Sequence, residues 1–325
     1  MKTEQTKEIE QYGRHACLLA VAAAVVIAVL RIALTPIAFD EPLPYGIALF
    51  VTGGLLAFLL ALSGIKYIPS IAVEGRMARF YAATAAVTGG AMVVFSLVIV
   101  YEFHTYGVLP YPDRTIASGV DRLFFHLLVA AGLAAGALFL WLAVCWWRAG
   151  VTVRKFHPLL ALAPVLWSWM RLIRYITSYV SSLGLFRNLY DLGTIVFEML
   201  FFVLLARYVS GMGDKASRFF FGVSLCTGLL CTVSGAAQVV FFFLQDAVSF
   251  ETCALVTAPD FSVALLAFAT AFSQAYGKAY EEPSEPENEE QAEVEEDPDD
   301  GEGAEYLISD QWFAVYDPEE DEPNN

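Results

Sequence analysis

The stretch "WSWMRLIRYITSYV", residues 167–180, decides how this chain is read. It lies in a long apolar region, yet it carries Arg171 and Arg174, three residues apart and so on one face of a helix. A membrane span needs about 20 mainly apolar residues to cross a hydrocarbon core of ~30 Å. From Pro158 to Met170 there are 13 residues, about 20 Å of helix, which is too short to stop before the arginines. Starting the span earlier only draws in Arg154 and Lys155. Arg171 is therefore expected inside the membrane, roughly 9 Å below the outer boundary, with Arg174 about 5 Å below it. Arg174 can extend to the interface beside Tyr175 and Tyr179. Arg171 needs a partner.

Acidic partners stand on two other apolar segments. In "RNLYDLGTIVFEMLFFVLLAR", residues 187–207, Asp191 and Glu198 are seven apart and share a face. Glu198 is near the middle of the stretch between Arg187 and Arg207, the deepest charge in the chain. In "TAPDFSVALLAF", residues 257–268, Asp260 follows Pro259 about 9 Å in from the outer side, level with Arg171. Arg31 and His126 add to the same half. A charge at mid-membrane costs at least ~2.5–3.5 kcal/mol on insertion scales, so these groups are expected to face a partner or a polar cavity. Arg171, Arg174, Asp191, Glu198 and Asp260 are thus the candidate ligand or ion-pair residues, arranged as an outward-open pocket between the fifth, sixth and eighth spans. The competing reading is a network that only fixes helix packing.

The rest of the chain fits this frame. Of 325 residues 57% are hydrophobic and 17% charged, with mean hydropathy +0.56, against about a quarter charged in soluble domains. Eight apolar cores are expected, at 15–36, 45–65, 80–101, 124–147, 157–178, 187–207, 219–244 and 254–276. Uninterrupted runs of this length exclude a β-barrel, whose strands are about half as long and alternate. The predicted fold is an all-α polytopic bundle: a segment at 1–14, a transmembrane domain at 15–279, and an acidic tail at 280–325. Lys and Arg accumulate in cytoplasmic loops. With the N-terminus inside, the inner segments hold thirteen Lys and Arg, the outer ones only Arg114, Arg122 and Arg187. Both termini are therefore expected to be cytoplasmic, with the first span an uncleaved anchor.

Residues 281–325 hold 20 of the 35 acids and no Lys or Arg, so the net charge of −16 belongs to the tail. Its mixture of Pro, Glu and Asp predicts disorder. Within it "EYLISDQWFAVYD", residues 305–317, gathers Tyr306, Leu307, Ile308, Trp312, Phe313 and Tyr316, which reads as a docking motif for a cytosolic partner or for the protein's own inner face. Gly132 and Gly136 in "AAGLAAGAL" are spaced for close helix packing, as are Gly53–Gly54 and Gly89–Gly90. Pro164 and Pro259 are positions for kinks. The five cysteines read as small apolar packers without a disulfide framework.

Functional classes narrow accordingly. No basic stripe supports nucleic-acid binding, and HExxH, G-x-S-x-G, P-loop and C-x-x-C motifs are absent. Glu102, His104, Asp113 and His126 surround one outer loop, but their spacing does not make a metal set, so neither a metal nor a cofactor is expected. The stretch "PVLWSWMRLIRYITSYVSSLGLFRNLYDLGTIVFEMLFFVLLARYVSG" resembles uncharacterised multi-pass membrane proteins of Gram-positive gut bacteria, over roughly residues 158–211. That resemblance implies a bacterial plasma membrane and carries no activity. Two functions stay open. One is recognition or transport of a small polar or anionic solute, bound by Arg171 and Arg174 with Glu198 as a protonatable coupling residue. The alternative is a non-catalytic sensor or scaffold in the lipid bilayer, docking a cytosolic protein through its tail.

Overall fold

Apolar runs with hydroxyls and charges spaced at helical intervals can bury their backbone polar groups only as helices. The structure, a computed structural model, describes residues 2–34, 42–64, 74–106, 119–152, 156–179, 189–211, 217–244 and 250–276. Among them the chain forms α1 (Lys2–Leu34), α2 (Pro42–Gly64), α3 (Arg76–Tyr106), α4 (Gly119–Ala149), α5 (Pro158–Ala161), α6 (Ala163–Tyr179), α7 (Leu189–Val209), α8 (Ser217–Leu244) and α9 (Phe250–Tyr276). All belong to one unit, residues 1–281. The acidic tail, with Tyr306, Leu307, Ile308, Trp312, Phe313 and Tyr316, lies outside the described residues, as does Asp113. The described part has no strand, only an isolated bridge between Glu74 and Val151.

Six of these helices are long and apolar enough to cross a membrane: Tyr12–Leu34, Arg76–Thr105, Arg122–Ala149, Pro158–Ile176, Leu189–Val209 and Phe219–Ala236. α2 contributes a shorter apolar stretch, Gly46–Ala61. The arrangement of side chains argues the same way. On α1 the buried face is Ala16, Ala20, Ala24 and Ala28, while Val25, Val26 and Val29 point outward. Phe50, Leu159 and Phe219 are also exposed. On α1, small residues inside and large apolar residues outside invert the pattern of a water-soluble protein, and with the other exposed apolar side chains they suit lipid.

Buried hydroxyls are satisfied mostly within their own helix. Thr52, Thr88, Ser96, Thr194, Ser224 and Thr270 each donate to the carbonyl four residues earlier, at 2.6–2.9 Å. This is how such residues remain tolerable in an apolar bundle.

α3 packs along α4 and α9, α9 along α8, and α8 along α1, α2 and α7, with α6 between α4 and α7. The α3–α4 seam is the tightest. A Cβ on Gly89 would lie 2.8 Å from the Gly136 carbonyl oxygen, and one on Gly136 only 2.9 Å from that of Gly89. The two backbones touch, so the small-residue spacing in α4 serves packing within the chain. At one end of this pair Gly75 and Gly150, both at positive φ, are joined by the Gly75 N–H donating to the Gly150 carbonyl at 2.9 Å.

Pro164 acts by what it lacks. With no N–H it cannot donate to the Leu160 carbonyl. The turn before it tightens instead, with Leu162 N–H donating to Leu159 O at 3.3 Å, and regular bonding resumes with Leu166 N–H to Leu162 O at 3.0 Å. α5 and α6 are thus one rod interrupted at Leu162. Pro259, by contrast, is carried inside α9.

Candidate functional site: a buried charge cluster

α7 organises the site because its polar residues fall in one stripe: Tyr190 and Asp191, then Thr194, then Glu198. The stripe meets α8. Thr194 Oγ1 reaches the Leu230 carbonyl at 3.3 Å, and Thr227 Oγ1 donates to the Phe197 carbonyl at 3.0 Å. Two charged layers are built on this stripe, seven residues apart along α7, or about 10 Å of helix.

The deeper layer joins four helices. Arg171 on α6 donates through Nη1 to Glu198 Oε2 on α7 at 2.7 Å and through Nη2 to Asp260 Oδ1 on α9 at 2.8 Å. Cys231 Sγ on α8 faces Glu198 Oε1 at 3.5 Å. The guanidinium also lies over the Trp167 ring, 4.6 Å from its centroid, a contact available because Trp167 precedes Arg171 by one helical turn. Trp167 is itself held edge-on by Phe95 of α3. Arg171 is 9% exposed, Glu198 0% and Asp260 2%. The expected outward-open pocket is thus a closed cluster in this structure.

The other layer repeats the motif with different residues. Arg31, near the end of α1, donates through Nη2 to Asp191 Oδ1 at 2.9 Å, and Ser234 Oγ donates to the same oxygen at 2.6 Å. Arg31 lies over the Tyr190 ring, 4.9 Å from its centroid, and the Tyr190 hydroxyl shares a 3.0 Å hydrogen bond with Thr52 on α2. Both layers therefore consist of an arginine stacked on an aromatic ring and bonded to carboxylate.

Of the five residues singled out from sequence, the structure brings Arg171, Glu198 and Asp260 into direct contact. Asp191 belongs to the second layer, with Arg31. Arg174 is half-buried, one turn further along α6. Sequence reasoning did not assign Arg31 a partner or give roles to Trp167, Tyr190, Cys231 and Ser234. The available signals were local: Trp167 at i−4 from Arg171, Tyr190 beside Asp191, and Cys231 and Ser234 three apart on α8.

Elsewhere, a cavity of about 10 Å³ is lined by apolar groups that include Leu138, Phe139, Ala161, Phe202 and Leu205. Its lining offers no polar partner, so it suits neither water nor a polar solute. His104 and His126 are exposed and pack on Phe103 with ring centroids 5.7 and 6.1 Å away. Among the described residues, no three His, Cys, Asp or Glu converge as a metal set. No protein-family profile, no curated protein and no solved structure matches this chain.

Proposed function

We propose that this is an eight-span membrane protein of a bacterial plasma membrane, with both termini cytoplasmic, that recognises or carries a small polar solute at the buried charge cluster. The observation that carries the reading is Arg171 bridging Glu198 and Asp260 from three separate helices. Ionic clusters are a poor route to stability. Well-packed apolar residues of similar volume are often as stable or more so, by about 1–4 kcal/mol. A bundle that places three charges at its centre, each expensive to insert, keeps them for use.

The mechanism follows from the guanidinium being shared. An anionic group of the solute competes with the two carboxylates for Arg171, and Arg174 one turn away offers a second cation on the same face. Displaced from Arg171, Glu198 becomes the coupling residue that takes up a positive charge. The acidic tail and its aromatic segment support a second role, docking a cytosolic protein at the inner surface.

The test compares Glu198→Gln with wild type in nanodiscs, first by thermal stability and then against a panel of small polar solutes. Glutamine keeps an oxygen to accept from Arg171, and Asp260 keeps the arginine paired, so stability should be maintained while solute response is lost. If Glu198→Gln is as damaging as loss of Arg171, and a double substitution restores stability, the cluster is a structural clamp and the reading fails.

A further inference from the structure

Both charged layers are built of partners of opposite sign. Arg171 holds Glu198 at 2.7 Å and Asp260 at 2.8 Å, and in the other layer Arg31 holds Asp191 at 2.9 Å. Each of these bonds joins two helices. Arg171, Glu198 and Asp260 are at most 9% exposed, and water and salt screen charges in such surroundings weakly. A solute that takes over the guanidinium therefore has to leave every displaced charge with a new partner, because stranding one member of a buried pair is strongly destabilising.

Three kinds of solute differ on that ground. A simple anion seats on Arg171 and releases Glu198 or Asp260 with its charge unanswered. A simple cation takes a carboxylate and leaves Arg171 short of an acceptor. A zwitterion makes both exchanges at once: its carboxylate replaces the one leaving Arg171, and its ammonium gives that carboxylate a new donor. The formal charge of the site is then the same before and after, whatever Arg174 contributes. Stacked on the Trp167 ring, 4.6 Å from its centroid, Arg171 keeps one contact through the exchange.

The seats also limit size. Glu198 and Asp260 bond to the two Nη atoms of a single guanidinium, so the charges that replace these bonds have to lie within a few bonds of each other. One turn away on the same faces stand Ile195, Phe201 and Phe202 of α7 and Val263 and Ala264 of α9, all buried. Thr194, also one turn from Glu198, has its hydroxyl engaged by the carbonyls of Tyr190 and Leu230. These surroundings suit a solute with little or no side chain.

We infer that the solute of this cluster is a small zwitterion, an α- or β-amino acid whose side chain is absent or apolar. The inference rests on the solute reading and names the class of solute within it.

The experiment follows the thermal midpoint of the full chain in nanodiscs of neutral lipid, at constant ionic strength, against glycine, β-alanine, acetate and methylammonium. Glycine or β-alanine should raise the midpoint, each tenfold rise above its Kd adding about 1.4 kcal/mol of stabilisation. Acetate and methylammonium, each carrying half of the zwitterion, should act at least tenfold more weakly. Glu198→Gln should weaken the glycine response at least tenfold. If that variant does not fold, the selectivity of the wild type still decides. Acetate acting as well as glycine means that a displaced carboxylate finds its partner inside the bundle, at Arg174 first of all, and overturns the inference. Methylammonium acting as well overturns it too. A glycine response unchanged in both Glu198→Gln and Asp260→Asn is that of an excluded osmolyte and does the same. A response confined to another polar solute sinks the zwitterion and spares the solute reading, whereas no response to any solute sinks both.

Discussion

Replacing Arg171 with methionine is the most informative single perturbation of this bundle. Methionine matches the stem of arginine but supplies no donor, so Glu198 and Asp260 keep their burial and lose their bonds at 2.7 and 2.8 Å. Each charge-assisted hydrogen bond contributes roughly 1.5–3 kcal/mol net, and the contact over Trp167 adds about 0.5–2 kcal/mol. Cutting one partner out of a buried ion pair typically costs about 3–5 kcal/mol, because the remaining charge is stranded. A loss of about 3–5 kcal/mol is therefore expected for Arg171→Met, since rearrangement of the two carboxyls recovers part of the sum. The triple change Arg171→Met, Glu198→Gln, Asp260→Asn removes every charge at once and should return to within about 1–2 kcal/mol of wild type. Denaturant titration in mixed micelles, followed by tryptophan fluorescence, measures both. If Arg171→Met stays within about 1 kcal/mol of wild type, or the triple variant is no better than the single, the cluster is not the buried electrostatic node described here.

Other outcomes follow from the same structure. Gly136→Leu should separate α3 from α4, since even its Cβ would meet Val93 Cγ2 at 2.7 Å; an overpacking loss of about 1–3 kcal/mol or more is expected in the same titration. Asp191→Asn leaves Arg31 buried against a neutral amide and should lower stability by about 1–3 kcal/mol, whereas Ser234→Ala, removing one bond to that carboxylate, should lower it by about 1 kcal/mol. Tyr208→Phe removes the 2.7 Å hydrogen bond to Thr152 and should cost about 1 kcal/mol without altering any response at the charge cluster. Single cysteines at Arg114 and at Lys215 in intact cells should differ in labelling by an impermeant maleimide: position 114 reactive from outside, 215 only after permeabilisation. The reverse pattern would invert the proposed topology.

How much of this could be read from the residues depends on range. Helices were legible because apolar run length and lipid thickness are local quantities; the stretch expected between Arg187 and Arg207 forms the helix Leu189–Val209, with Arg207 in its last turn. Glu198, near the middle of that stretch, is fully buried in the bundle. Partner choice was not legible. Asp191 and Glu198 share a face of α7, yet they bond to arginines from different helices, because α1 and α6 approach α7 at different heights. Nothing within 20 residues of Asp191 encodes the arrival of Arg31, 160 positions earlier in the chain. The glycines of α4 and α3 both marked close contacts, but the pairing of Gly136 with Gly89 is identified by packing alone. The closure of the cluster is equally a property of the assembled bundle, since it takes Trp167, Cys231 and the flanking helices together to seal it.

The seam between α3 and α4 has a mechanical meaning. With main chain against main chain and no side chain to act as a cushion, these two helices have no room to slide or roll, and the Gly75–Gly150 bond ties their ends. They form a strut. The interruption at Leu162 is the opposite, a joint where the ladder of backbone bonds is already broken and bending strains little. Arg171 rides on the long arm of that joint, two and a half turns beyond it. A small swing of α6 against the fixed strut is thus translated, through the length of the arginine, into the making or breaking of contacts with two other helices at once.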